Sequence, residues 1–560
     1  MTIGTVISSI ALPCTGSQTQ FDFPFLIPFA SNAEVAYIPS GSTTSVLLSP
    51  TIYQILGTGN PAGGSVTYPY PAGAPLPAGD TFIIARVLPL IQATSISAQG
   101  ATFAAIETAL DYEMMCIQDL QTQVNDLASG SISAVAILAN IAALRAYSGS
   151  STEPLYVNGY YNPADGGEGW FAFDSNTASD NGGTFIIDGI GRVWERALAG
   201  SPPTLKQFGA KGDGVTNDSA AVQNALNLGQ HIRATPGDYI VAGLFAPSNV
   251  WLQGDGTSAA ELIAATTSTP VLTSATGTEG TIIVSDVAFV GPGGAAPAGT
   301  AISFTGSSTA SPLQNVRVTN CFFFGFTTSV NVQNTSFGFF SGLNSENCIS
   351  PYINNQSSNT SWDDCLAQNA GGTGSYAFEV AGSLGNGNVL VRGLQAVNQG
   401  GGILGSNATR VAVSTAQITG NTQTAVSLIG GCSVWEITGS QLLAMSTSVS
   451  GLFCDTSSSN VTFAGNNVSG SSFGIYVGGT NIAVTGNVLT GNTSRDITIG
   501  GTGSTHINVT GNICASSTTG SSIAELTGSD YSLIIGNQYI GAPVIVGMHS
   551  STNSYNAVIA

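Results

Sequence analysis

The chain has 560 residues, only 8% of them charged, and its 31 acidic against 11 basic side chains give a net charge of −20. So few cations cannot build the clustered phosphate contacts of a nucleic-acid binder. A hydrophobic content of 42% excludes a disordered polyelectrolyte, and 71 glycines fit a β-rich chain with many tight turns.

No apolar run approaches the ~18 residues of a membrane-spanning helix. The start, MTIGTVISSIALPC, lacks the basic region of a secretory signal, so the expectation is a chain made in the cytoplasm with no membrane insertion. Cys14, Cys116, Cys321, Cys348, Cys365, Cys432, Cys454 and Cys514 form no CxxC pair and have no histidines at zinc spacing. They read as buried free thiols, and neither a metal nor a cofactor is expected.

In chain order, residues 1–97 read as short strands and turns, for example Phe21-Asp22-Phe23-Pro24-Phe25 and Thr81-Phe82-Ile83-Ile84-Ala85-Arg86-Val87. Residues 98–147 read as a helical neck. Phe103, Ile106, Leu110, Met114, Ile117, Leu120 and Val124 step by three or four, close to a heptad seam. A second, alanine-rich helical pattern runs over 132–144. Residues 148–203 form a Gly/Asp-rich module in which Trp170, Phe171, Phe173, Phe185, Ile187 and Trp194 alternate with polar residues, as in a small antiparallel sheet. Its Asp165, Asp180 and Asp188 match no EF-hand spacing and read as turn residues.

Residues 204–541 read as one solenoid domain that repeats from about 236 onward, leaving a short tail at 542–560. Val461-Thr462-Phe463-Ala464-Gly465-Asn466, Ile482-Ala483-Val484-Thr485-Gly486-Asn487 and Ile507-Asn508-Val509-Thr510-Gly511-Asn512 are one motif, recurring about every 20–25 residues. Short strands around a Gly-Asn turn at that period predict a mainly β chain with a parallel β-helix, stacked so that each coil buries its neighbour's apolar face. The repeated Asn is predicted to ladder with backbone groups of adjacent coils. Ahead of the repeat stands LKQFGAKGDGVTNDSAAVQNAL, with Asp218 placed to N-cap a helix carrying Ala221, Val222, Ala225 and Leu226 on one face. Thr235-Pro236-Gly237-Asp238-Tyr239-Ile240-Val241 follows.

These last two segments resemble the entry of pectate-lyase-like right-handed parallel β-helix proteins, especially phage tailspikes. The resemblance implies that the helix covers the open end of the solenoid. The stretch PLPAGDTFIIARVLPLIQATSISAQGATFAAIETALDY looks like the end of the virion-anchoring domain of T7-like tail fibres, and the Gly/Asp-rich module is similar to one that precedes the β-helix in tailspikes. Together the resemblances imply a virion protein. It would be attached to a tail or adaptor protein through its N-terminus, homotrimeric along the neck seam, and directed at a bacterial surface polysaccharide.

Aligning the coils on their turns sets Asn320-Cys321, Asn347-Cys348 and Asp364-Cys365 in one position. The preceding residues then form an outward column of Thr319, Glu346, Asp363 and Arg392, with Glu346 and Asp363 on adjacent strands ~4.8 Å apart. A paired acid and carboxylate is the minimum apparatus for glycosidic hydrolysis. The catalytic candidates are Glu346, Asp363, Asp364 and Glu379, although the turn position of Asp364 also fits a structural role. Arg392, Trp362, Phe453, Tyr476 and Asp455 are the substrate-binding candidates. Phe453 and Tyr476 offer rings to sugar faces on a second column, which runs Glu379, Leu404, Ser427, Phe453, Tyr476, Thr498 and Glu525. Two alternatives stay open: a lyase acting by β-elimination with Arg392 as base, and a non-catalytic receptor-binding fibre.

Overall fold

The computed structural model describes residues 8–88 except 43, 110–120 and 136–149. It further describes 152–540, apart from 177, 275–279, 293–295, 370–374, 383–387, 444–448 and 516–521, and strands within 541–560. The chain divides into two compact units, Met1–Ala134 and Val135–Ala560.

In the first unit, alternating apolar residues build two small antiparallel sheets. Ser9–Pro13, Thr81–Arg86, Ala33–Ile38 and Val46–Leu47 form one, and Gln20–Phe23, Gly64–Thr67 and Gln54–Leu56 the other. Phe21 stacks on Phe82 at 4.0 Å in the shared core. The helix at 110–120 has two faces. Met115 packs on Leu26 and Leu88, and Arg86 locks that face by an ion pair to Asp119 at 2.8 Å and a bond to the Leu26 carbonyl. Leu110, Met114, Ile117 and Leu120 of the expected seam lie exposed on the other face. The remaining seam positions, Phe103, Ile106 and Val124, fall outside the described residues.

The second alanine-rich helix is shorter than its pattern predicts. Asn140 caps Ile141–Arg145 by accepting from the Ala143 amide, and Ile137–Leu138 just before it pairs as an edge strand with Tyr156–Val157. These residues complete a five-stranded sheet with Leu155–Val157, Gly169–Asp174, Val193–Arg196 and Phe185–Ile187, packed around Trp194 and Phe171. The three aspartates organise turns here. Asp165 accepts from the Tyr160, Tyr161, Asn162 and Gly167 amides, and Asp188 accepts from the Ile190 and Arg192 amides and the Trp194 indole.

At the solenoid entrance Thr204 and Gln207 form a capping box around Leu205–Phe208. Asp218 occupies the N-cap position of Ser219–Leu226, but its carboxylate accepts from the Lys211 and Gly212 amides and makes no cap bond. It therefore pins the preceding glycine loop. Val222, Ala225 and Leu226 bury against the first coil. This is the end-covering arrangement the resemblance implied.

Three parallel sheets of 15, 14 and 13 strands then run the length of the unit. In each coil a third-sheet strand leads to a second-sheet strand, a tight turn and a short first-sheet strand. Thr328–Gln333, Phe339–Ser341 and Asn344–Glu346 are one example. At the tight turn the chain takes a left-handed residue coil after coil. Asp286, Asn320, Gly342, Asp364, Gly393, Thr415, Gly439, Gly465, Gly486, Gly511 and Gly536 have φ between 52° and 65°. That geometry strains an ordinary side chain, hence Gly, Asn or Asp at all of these positions but Thr415. The following residue points inward, and Asn466, Asn487, Asn512 and Asn537 form the expected buried ladder, the oxygens of Asn487, Asn512 and Asn537 each accepting from the backbone and side chain of the Asn before it and that of Asn466 from the Ser440 amide. Beyond residue 541, Ile545–Val546, Thr552–Ser554 and Ala557–Ile559 continue the three sheets. Among the described residues no helix is long and apolar enough to cross a membrane.

Candidate active site

Strand register decides which side chains meet. Asp363 pairs with Ser341 below it and Arg392 above it in the second sheet. Glu346 pairs with Phe324 and Gln368 in the first sheet. The expected Glu346–Asp363 column is therefore corrected: the two carboxylates lie on different faces of the solenoid. Ser341-Gly342-Leu343 is the intervening turn that the sequence alignment passed over. The local signature misled because Asn347, at φ 52°, is a left-handed corner residue too, but at the corner between the first and third sheets. Cys348 moves with it. Cys321 and Cys365 share the inward column of the tight turn with Leu343, whereas Cys348 lies at the other corner, its sulfur accepting from the Phe326 amide.

On the second sheet, Arg392 grips Asp363 with two bonds, Nε to Oδ1 at 2.6 Å and Nη2 to Oδ2 at 3.1 Å. Ser361 donates to the same carboxylate. Burial alone would raise the Asp363 pKa, but the bonds from Arg392 and Ser361 outweigh it and hold the group below the usual carboxylate range. The lowered pKa favours the ionised form of Asp363 beside Arg392, which disfavours proton donation. Asp364, next in sequence, carries the left-handed turn at φ 52°. Trp362 is a correction: it points into the core, 1% exposed, stacked on Phe340 at 3.9 Å, and offers no face to a sugar. Alternation along a strand demands this, since outward Ser361 and Asp363 flank it.

The third sheet brings together what the sequence placed on its second column. Glu379, Leu404, Ser427, Phe453, Tyr476 and Thr498 are in continuous register, one per coil. The column ends on Ala524 and not Glu525, which is one residue out of register and buried. Phe453 and Tyr476 stack at 5.2 Å, tilted by 21°. Half-buried Glu379 behaves opposite to Asp363: burial raises its pKa, and a bond from Ser350 offsets this only in part. Tyr376, on the same outward face of the same strand, is likewise raised by burial and by the Glu379 charge, with Ser427 within hydrogen-bonding reach of its phenol. The ring of Tyr376 lies over Gly401, where any Cβ would collide with it. Thus a poised carboxyl, a phenol and a hydroxyl share one face with an aromatic pair farther along the same column.

Asp455 is bound up in its loop. It accepts from the Gly430 and Ser457 amides and from the Ser457 and Ser458 hydroxyls. These bonds overcome its burial and lower its pKa. Sequence reasoning missed Tyr376 as a partner of Glu379. Strict alternation would put residues three apart on opposite faces, but Ala377 and Phe378 are both buried and break it, and the glycine at 401 on the next coil clears room for the ring. Among the described residues, no three or more His, Cys, Asp and Glu side chains gather as for a metal ion.

Residues 137–199 match the family model of the phage tail protein small four-stranded β-sheet domain. The chain is also similar to the A-module of a mannuronan C-5 epimerase from Azotobacter vinelandii, at 16% identity and TM-score 0.47, over 64% of this chain and 99% of that one. A second similar structure is the enzymatically active domain of tailspike protein 4 from bacteriophage CBA120, at 14% identity and TM-score 0.46, over 68% of this chain and 54% of the other. The chain thus spans about half of that tailspike domain. A third is the catalytic unit of an α-1,3-glucanase from Streptomyces thermodiastaticus, at 13% identity and TM-score 0.40, over 100% and 93% of the two chains.

Proposed function

We propose that this chain is a phage tailspike that binds a bacterial surface polysaccharide along the third sheet and cleaves it there by glycosidic hydrolysis. The match of 137–199 to a phage tail domain, directly ahead of a β-helix, supports the virion assignment. On this reading residues 1–97 attach to the phage tail. The exposed stripe Leu110, Met114, Ile117 and Leu120 joins three copies of the chain.

One observation carries the chemistry: Glu379 is half-buried with a raised pKa on the same outward column as the Phe453–Tyr476 stack. A carboxyl whose pKa burial raises suits a general acid for the glycosidic oxygen, and stacked rings suit pyranose faces. Glu346 precedes the corner that carries Ser350, the hydrogen-bond partner of Glu379, and is the candidate for the second carboxylate. The lyase alternative needs a free base, and Arg392 is committed to Asp363. The test is incubation of the purified full chain with capsular, exopolysaccharide and O-antigen preparations. Hydrolysis yields saturated products with new reducing ends. Unsaturated ends would establish elimination, and binding without products would establish a pure adhesin.

A further inference from the structure

A second recess lies on the outer face of the second sheet, away from the Glu379 column. It is a groove of about 460 Å³, within the range of small-ligand sites. It is lined by Leu390, Ala412, Glu436 and Thr462, one outward residue from each of four successive coils, and by Arg410 and Val434 at the adjacent corner. Arg410 and Val434 stand at the same corner of successive coils with φ of 58° and 56°. This corner is left-handed in coil after coil, as at Asn388, Asn460 and Asn481, so the conformation belongs to the repeat, and what is particular here is the side chains it carries. Val434 is 52% exposed and open to a ligand beside Arg410.

The charges are equally telling. Between residues 320 and 540 the chain has three cations, Arg392, Arg410 and Arg495. Arg392 is held by Asp363, while exposed Arg410 and Glu436 make no ion pair among the described residues. Register places Glu436 beside Ala412, one coil on and two residues along from Arg410, so their Cα atoms are about 8 Å apart. That span admits one sugar ring over the small Ala412 side chain.

We propose that this groove is a subsite for a carboxylated sugar. The Arg410 guanidinium takes the uronate carboxylate, Glu436 accepts from ring hydroxyls, and Leu390 and Val434 meet the C–H face. This rests on the reading of the solenoid as a glycan-binding body and names the substrate class: an acidic polysaccharide, gripped on a second face apart from the cleavage site.

The test is calorimetry on the full chain with a β-linked tetraglucuronate and with the corresponding tetraglucose, which differs only at the carboxyls. Tetraglucuronate binds more tightly, and Arg410→Ala and Arg410→Asn weaken it by about tenfold or more, while Arg317→Ala, which removes an exposed cation of the same sheet outside the groove, leaves it unchanged. Arg410→Asn guards against misfolding, since Asn tolerates positive φ. Equal binding of the two tetrasaccharides, or unchanged affinity in both Arg410 variants, overturns the subsite. An equal loss of tetraglucuronate binding in Arg317→Ala shows an unspecific charge effect and also overturns it. A chain that cleaves a polysaccharide yet fails these criteria loses only this inference. A chain that neither binds nor cleaves any polysaccharide loses the reading beneath it as well.

Discussion

Asn487 is the clearest place to perturb the solenoid. Its carboxamide oxygen accepts from the Asn466 amide at 2.9 Å and the Asn466 side chain at 3.0 Å, and its Nδ2 donates to the Phe463 carbonyl and to Asn512. The residue is fully buried. In Asn487→Ala, the Asn466 side chain keeps its bond to Ile437 and Asn512 keeps the Asn487 amide. The Asn466 backbone N–H loses its acceptor and the Phe463 carbonyl one donor. At about 1–3 kcal/mol for each of these two buried groups left short, the expected loss is about 2–6 kcal/mol. Asn487→Asp is worse at neutral pH, because an oxygen then faces the Phe463 and Asn512 oxygens where an NH₂ stood. Burial and those oxygens raise the folded pKa of the new carboxyl, so its protonated form is the one the fold favours. The variant is therefore least destabilised below the unfolded aspartate pKa, and stability falls as pH rises through the folded value. Urea unfolding of both variants across acid to neutral pH measures this. An Ala variant within about 0.5 kcal/mol of wild type, or an Asp variant more stable than Ala at neutral pH, refutes the ladder as a stabilising device.

Four further outcomes are expected. Glu379→Gln lowers turnover by about 10²–10⁴-fold with the fold intact, and the wild-type rate declines as pH rises through the elevated Glu379 pKa; a retained rate with an unchanged pH profile moves the acid elsewhere. Tyr476→Ala weakens substrate affinity by about 0.5–1.5 kcal/mol while circular dichroism stays native; unaltered affinity removes the aromatic pair from the binding face. Trp362→Ala costs about 3–5 kcal/mol of stability because its ring is core, and a merely local loss of glycan binding would show that burial misread. Ile117→Asp on the exposed helix stripe lowers the oligomer mass seen by light scattering; an unchanged mass excludes the seam.

The coil period, the tight-turn Asn ladder and the end-covering helix were all legible in the sequence, because each is a local demand repeated many times. A left-handed turn needs Gly, Asn or Asp. A strand buried on one side needs alternation, and a solenoid repeats both. The column from Glu379 to Tyr476 was legible for the same reason. Two things were not. Asn347 and Asn320 satisfy the same backbone requirement at different corners, so the sequence could not say that Glu346 and Asp363 stand on different sheets. Nor could it say that Asp363 and Glu379, two acids sixteen residues apart, would ionise so differently. That was decided by what the coil above supplied: Arg392 across from Asp363, and, for Glu379, the uncharged Leu404. The sequence by itself determined the repeat and its turns, since those depend on backbone conformation residue by residue. Only the stacking of coils decided which side chains became neighbours, because register between strands depends on loops whose lengths vary from coil to coil.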